Sequence, residues 1–244
     1  MLKAYGKTDK GKVRANNQDS FAINNLSDIA LLAVVCDGMG GEKGGNIASR
    51  NAVNIITQHI GSNYRDDYDS NSIRNVMLSA VSVANALVYE MAKKDENLAG
   101  MGTTLVVCVI KNNMAHIVHA GDSRAYLVKN GELCRMTRDH SVVQLLIENG
   151  ELTEAEAAVH PKKHYITRAL GVGKALDAEY TESEFSEGQM LLICTDGLTN
   201  HVAEEIMLQT LLQTNIEDVP QNLVSLANAQ GGTDNITAVV LCNR

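Results

Sequence analysis

The chain of 244 residues, 45% hydrophobic and 20% charged with only 2 Pro among 19 Gly, has a globular composition that excludes the disordered and collagen-like classes. A net charge of -8 removes the basic excess with which a nucleic-acid binder displaces counterions, so nucleic acid is excluded as the expected partner. The longest apolar run, Ile29 to Cys36, falls far short of the ~20 residues that span a bilayer, the first residues carry no leader pattern, and the five cysteines are scattered. We therefore expect a cytoplasmic protein with no membrane segment, disulfide framework or zinc site.

No repeat and no Pro- or Ser-rich linker divides the chain, which predicts one domain over 1–244. Leu31 to Cys36 reads as a core strand, and a helix is expected from about Asn46 to His59 with Ala48, Ala52, Ile55 and Ile56 inward. From Ile73 the positions Val76, Met77, Ala80, Ala84, Leu87, Val88 and Met91 keep helical spacing, one face apolar and the other polar. Strands follow at Leu105 to Ile110, Ala115 to Ala120 and Ala125 to Val128. Asn112-Asn113 and Asn130-Gly131 tolerate the positive φ angles of tight hairpins, so neighbouring strands should be antiparallel. A helix from Ser141 to Asn149 should stop at Gly150, and Thr153-Glu-Ala-Glu156 has the form of a capping box. The strand Met190 to Cys194, helices over Ala203 to Gln213 and Pro220 to Ala229, and the strand Ile236 to Leu241 complete the order. Blocks of antiparallel strands beside paired helices disfavour a doubly wound parallel sheet and predict sheets covered by helix layers.

Three predicted strands run into an Asp beside Gly: Asp37-Gly38, Gly121-Asp122 and Asp196-Gly197. A fourth Asp, Asp234, stands just before the last strand. A strand end holds a carboxylate rigidly at a sheet rim, and the glycine lets backbone and ligand approach closely. Two readings stand at this point. Each Asp could serve its own turn or cap, or together they could share a divalent cation, and all-oxygen donors suit Mg²⁺ or Mn²⁺ better than Zn²⁺.

The order of the motifs adds to this. Arg14-Ala-Asn-Asn-Gln-Asp19, Asp37-Gly-Met-Gly-Gly41, Gly102-Thr-Thr104, Gly121-Asp-Ser-Arg124, Asp196-Gly197 and Gly232-Thr-Asp-Asn-Ile-Thr237 span essentially the whole chain. Together they resemble the metal-dependent protein phosphatases, the PPM or type-2C family, in its compact bacterial form. The resemblance implies an α+β fold, a four-layer α/β/β/α sandwich of two antiparallel sheets flanked by helix pairs. It implies two Mn²⁺ or Mg²⁺ ions, with Asp37 bridging them, the Gly38 carbonyl holding one, and Asp196 and Asp234 holding the other. Asp19 is implied to act through metal-bound waters, Arg14 to bind the phosphoryl group, and Asp122 with Asp196 to hold a third ion. The implied reaction is hydrolysis of phosphoserine and phosphothreonine in proteins by a metal-bridged hydroxide, opposing a bacterial Ser/Thr kinase. No covalent phosphoenzyme is needed, and no Cys-x5-Arg loop surrounds any cysteine.

Three positions depart from the family pattern. Gln18 stands where some relatives have Glu. Met39 stands where some have a His proposed to protonate the leaving oxygen, which a thioether cannot do. The resemblance then implies a metal-bound water as the acid, with His119 and His140, near family motifs, read as strand and cap residues. His164 stands where bacterial relatives often have Asn, inside a segment, about 142–168, that resembles the family's flap; its Lys162 and Lys163 read as solvated. The expected partners are phosphorylated proteins, among them a Ser/Thr kinase and its substrates, with the chain a monomer. A degenerate module that binds phosphoprotein without turnover is the alternative, opposed by the retention of Asp37, Asp196 and Asp234.

Overall fold

The computed structural model describes residues 1–243, with the side chains of Glu42 and Lys43 set apart. One antiparallel sheet has five strands: β1 (Leu2–Asp9), β7 (Arg124–Lys129), β8 (Glu132–Arg135), β10 (Met190–Cys194) and β11 (Ile236–Asn243), in the order β1-β11-β10-β7-β8. The other is built on β2 (Asp19–Ser27), β3 (Ala30–Met39), β5 (Leu105–Lys111), β6 (Met114–Ala120) and β9 (Glu179–Glu184), in that spatial order, with the two-residue β4 (Gly102–Thr103) also pairing with β3.

Alternation along the strands explains the four layers. In β3, Leu31, Ala33 and Val35 face the other sheet, meeting Ile193, Val239 and Leu241, while Leu32, Val34 and Cys36 face helices. Those helices are α1 (Gly41–Asn63) and α2 (Ser70–Lys94). In β11, Val239 and Leu241 point between the sheets, and Ala238, Val240 and Cys242 point toward α6 (Glu204–Gln213) and α7 (Val219–Ala229). A strand buried on both faces reads as a continuous apolar run, which is why the central strands were visible in the sequence. By length and composition α2 is also long and apolar enough to cross a membrane; here Ile73, Met77, Ala80, Ala84 and Val88 form a buried stripe against α1 and the sheet. Four cysteines are buried and Cys134 is exposed, and none of the five is in a disulfide.

The predicted turns and caps are present. Asn112, Asn113, Asn130 and Gly131 have φ of 49°, 60°, 53° and 79°, the left-handed values of hairpin turns. In the segment between β8 and β9, α3 (Val142–Glu148) is capped by Ser141, and α4 (Glu154–Ala158) opens on the reciprocal Thr153–Glu156 capping box. Two expectations need correction. The helix placed from Asn46 begins at Gly41, because the glycine run after β3 winds directly into α1. Strands β1, β2, β8 and β9 were not anticipated, and they are the four sheet edges. An edge strand is covered on fewer sides and carries polar residues, as in Glu-Tyr-Thr-Glu-Ser-Glu of β9, so its apolar signal is weak.

Candidate active site

Sheet pairing brings the expected acidic residues to one end of the sandwich. Asp19 opens β2 and sits directly across from Asp37 near the end of β3. Asp122 lies in the turn between β6 and β7, Asp196 begins the short helix α5 (Asp196–Thr199) after β10, and Asp234 precedes β11. Arg14, Asp37, Gly38, Asp122, Asp196 and Asp234 line one cleft of about 630 Å³. Asp19 lies beneath it, 6% exposed. Its Oδ2 accepts hydrogen bonds from the hydroxyls of Thr237 at 2.6 Å and Thr195 at 2.9 Å, while Oδ1 has no partner.

Both near and distant parts of the chain hold the acidic residues in place. The Asp37 amide donates to Thr104 Oγ1 at 3.0 Å, and its carbonyl accepts from the Thr104 amide at 2.9 Å. Asp196 Oδ2 accepts from Asn200 Nδ2 at 3.0 Å, leaving its buried Oδ1 unpartnered. Asp234 Oδ2 accepts from Arg14 Nη2 at 2.7 Å, and Oδ1 from the Asn235 amide at 2.8 Å. Arg14 is thus in an ion pair with Asp234 while its side chain stays 54% exposed at the cleft, leaving part of its donor fork for a ligand.

Electrostatics show what such a cluster lacks. Burial pushes Asp19 up to about 7, against its two hydroxyl donors. Burial, then the charge of Asp196, pushes Asp122 up to about 8. Asp37 is held well above the usual carboxylate range by burial and the charge of Asp19, and Asp196 is raised by burial and Asp234. Ionising these groups together at neutral pH is costly unless positive charge sits among them. The donors are all oxygen, and two buried carboxylate oxygens, on Asp19 and Asp196, have no partner. This set fits hard divalent cations such as Mg²⁺ or Mn²⁺.

A separate group, His119, His140 and Glu179, has potential ligand atoms within 4.8 Å of one another. Its imidazoles stack with centroids 4.7 Å apart and planes 13° from parallel. Their in-plane lone pairs therefore run side by side instead of converging on one ion, and Arg168 Nη1 stands 3.1 Å from His140 Nε2. His119 Nε2 faces the Arg138 carbonyl at 2.8 Å and His140 Nε2 faces Glu179 at 3.1 Å. Both rings are buried and off the cleft wall, which holds Met39 and His164.

Sequence reading passed over the residues that hold the acids. Asn235 donates from Nδ2 to the carbonyls of Lys10 and Asn16, each at 2.9 Å, and accepts from the Gln18 amide at 2.8 Å. It thereby clasps the loop that carries Arg14. Gln18, for its part, donates from Nε2 to the Gly41 carbonyl at 2.8 Å. Asn235, Thr195 and Thr237 sit beside motif aspartates, but only contacts with sequence separations of 42 to 225 residues reveal their roles.

Two glycines set the closeness of the parts. A Cβ on Gly38 would lie 2.1 Å from the Gly45 carbonyl oxygen of α1, and one on Gly197 would lie 1.9 Å from the Asn235 carbonyl oxygen. Backbone is in the way in both cases, so the elements must separate. Gly197→Ala is expected to destabilise the fold by roughly 1–3 kcal/mol in urea denaturation. An unchanged midpoint would mean that α5 and the turn before β11 yield freely.

Known proteins were compared with this chain. The family model described as protein phosphatase 2C matches residues 9–226. The serine/threonine protein phosphatase PstP of Mycobacterium tuberculosis is 35% identical over 240 residues, covering 98% of this chain but 45% of that protein, so the chain spans about half the length of this relative. A serine/threonine phosphatase of Listeria welshimeri is 32% identical, with 98% of this chain and 95% of that protein covered. Among solved structures, the S. agalactiae serine/threonine phosphatase superposes with a TM-score of 0.93 at 34% identity, covering 100% of both chains. The catalytic domain of PstP in complex with two manganese ions has a TM-score of 0.85 at 32% identity, covering 99% of this chain and 97% of that one.

Proposed function

The chain belongs to the protein phosphatase 2C family, and from that membership we propose that it is a metal-dependent phosphatase acting on phosphoserine and phosphothreonine in proteins. The observation that carries the reading is the convergence of Asp37, Asp122, Asp196 and Asp234 with Arg14 on one cleft wall. We propose two Mn²⁺ or Mg²⁺ ions, both of which Asp37 would hold, one with the Gly38 carbonyl and the other with Asp196 and Asp234, and a third that Asp122 and Asp196 would hold. When bound, such ions act as Lewis acids that neutralise phosphoryl oxygens and make water nucleophilic at neutral pH.

The chain's own residues do the rest. Arg14, tethered to Asp234 at 2.7 Å, presents its remaining N–H groups to the phosphoryl oxygens, neutralising charge and orienting the group for in-line attack. Asp19, braced by Thr195 and Thr237, would place its negative charge beneath the cleft once cations offset the cost of its burial. Neither His119 nor His140 lines the cleft, which supports reading them as strand and cap residues and not as the acid for the leaving oxygen. Segment 142–168 contributes His164 and Ile166 to the wall, in keeping with a flap beside one catalytic domain. The reading further includes a bacterial Ser/Thr kinase as the opposing enzyme, a cytoplasmic location and a monomeric state. A binding-only role is not favoured, since Asp37, Asp196 and Asp234 are all present.

The test is phosphate release from a phosphothreonine peptide with Mn²⁺, with Mg²⁺, and with EDTA. Turnover that EDTA abolishes and Mn²⁺ restores is expected. Folded, metal-saturated protein that turns over none of several phosphopeptides would favour the binding-only module.

A further inference from the structure

Asp196 and Asp234 sit on separate pieces of chain, α5 and the turn before β11, and something must set their separation. Helix α5 is anchored by Leu198, which is buried, and by Val202 just beyond it. The turn is less constrained by its own backbone, since Gly231 and Gly232 have φ of 127° and 54°. On one side it is tied to the N-terminal loop, where the Lys12 amide donates to the Gly232 carbonyl at 2.8 Å. On the side of α5 stands His201, whose amide donates to the Leu198 carbonyl at 3.1 Å. Its ring Nε2 accepts from the Thr233 amide at 3.2 Å and lies 2.8 Å from Thr233 Oγ1.

With Nε2 accepting the backbone N–H, the neutral ring carries its proton on Nδ1, and the Thr233 hydroxyl shares the one Nε2 lone pair in a three-centre contact. Gly231 passes beside the ring, and a Cβ there would lie 3.6 Å from His201 Cε1. The imidazole therefore spans from the end of α5 to the residue immediately before Asp234. Neither the fold, which the buried apolar residues account for, nor the cleft wall, on which His201 does not lie, requires an imidazole there.

We propose that His201 is a positioning residue that fixes Thr233, and through it Asp234, at the spacing from Asp196 at which the two carboxylates hold one divalent cation. The inference rests on the metal-site reading above. Groups hydrogen-bonded directly to a metal ligand typically account for 10–100-fold in metal affinity, and His201 acts from one residue farther away, which places it at the lower end.

The test is isothermal titration of metal-free protein with Mn²⁺, comparing wild type, Asp196→Asn, Asp234→Asn, His201→Ala, His201→Asn and His201→Gln, with a melting temperature for each. The Asp196-dependent binding that is also lost in Asp234→Asn defines the site, which separates it from an ion held by Asp122 with Asp196. His201→Ala is expected to weaken that binding about tenfold. His201→Gln, whose Oε1 reaches as far as Nε2 and accepts the Thr233 amide, should recover most of it, while the shorter His201→Asn should not. A merely structural role would lower melting temperature in all three without a selective rescue by Gln. Wild-type affinity in folded His201→Ala overturns the inference; if that variant does not fold, equal affinities for the Asn and Gln variants overturn it. Absence of Asp196-dependent binding in wild type is a different result, which removes the metal-site reading itself and the inference with it.

Discussion

Asparagine in place of Asp37 is expected to lower kcat/KM on a phosphothreonine peptide by at least about a thousandfold, or ~4 kcal/mol of transition-state stabilisation. The residue lies near the end of a strand buried on both faces, and its backbone is held on Thr104 by hydrogen bonds of 3.0 and 2.9 Å. The amide side chain should therefore occupy the same place, and what is lost is charge. A neutral oxygen binds a hard cation weakly compared with a carboxylate, and in the proposed arrangement Asp37 serves two ions at once. The measurement is steady-state kinetics across a Mn²⁺ series, with thermal melting to verify folding. Activity within about tenfold of wild type at the same Mn²⁺ concentration, ~1.4 kcal/mol, would remove Asp37 from the centre of the reaction.

The opposite sign is expected for stability without metal. Asp122 is raised from 3.8 to about 8 by burial and by the neighbouring charge of Asp196. Between those two values the folded state binds more protons than the unfolded state, so the contribution of this group to stability falls as pH rises through that window. Below about pH 4 the group is protonated in both states and costs nothing electrostatically. Asp122→Asn should therefore melt higher than wild type in EDTA, by an increment that is small at pH 5 and grows to several degrees at pH 8. His116, His119 and His140 are lowered by burial and act in the other direction, but they are common to both proteins and largely cancel in the difference. Saturating Mn²⁺ should reverse the order, because the wild-type carboxylate then has a cation to face. A melting difference independent of pH would mean that Asp122 is ionised in the folded protein without penalty.

The two expectations separate the roles of charge. A carboxylate essential for turnover and one unfavourable to the metal-free fold are the same physical object, negative charge placed where water is excluded. His201 belongs to a different category, since it carries no ligand atom to the cleft and acts through the Asp196–Asp234 spacing.

What the sequence determined by itself was what repeats locally or is punctuated locally. The double-faced apolar runs of β3, β5, β6, β10 and β11, the helical stripe of α2, the Asn-Gly hairpin at 130–131 and the Thr153–Glu156 capping box depend on residues within a few positions of one another. The acidic motifs were equally visible, because an Asp beside a Gly at a strand end needs no distant partner to be noticed. Tertiary structure decided the rest. The four edge strands form because a neighbour supplies their hydrogen bonds, not because their own polar composition demands it. The braces on the site, Asn235 on the Lys10 and Asn16 carbonyls, Thr195 and Thr237 on Asp19, and His201 on Thr233, are single polar contacts across as many as 225 residues. A hydrogen bond of that kind leaves no periodicity in the chain; it exists only once two sheets have packed and brought their ends together.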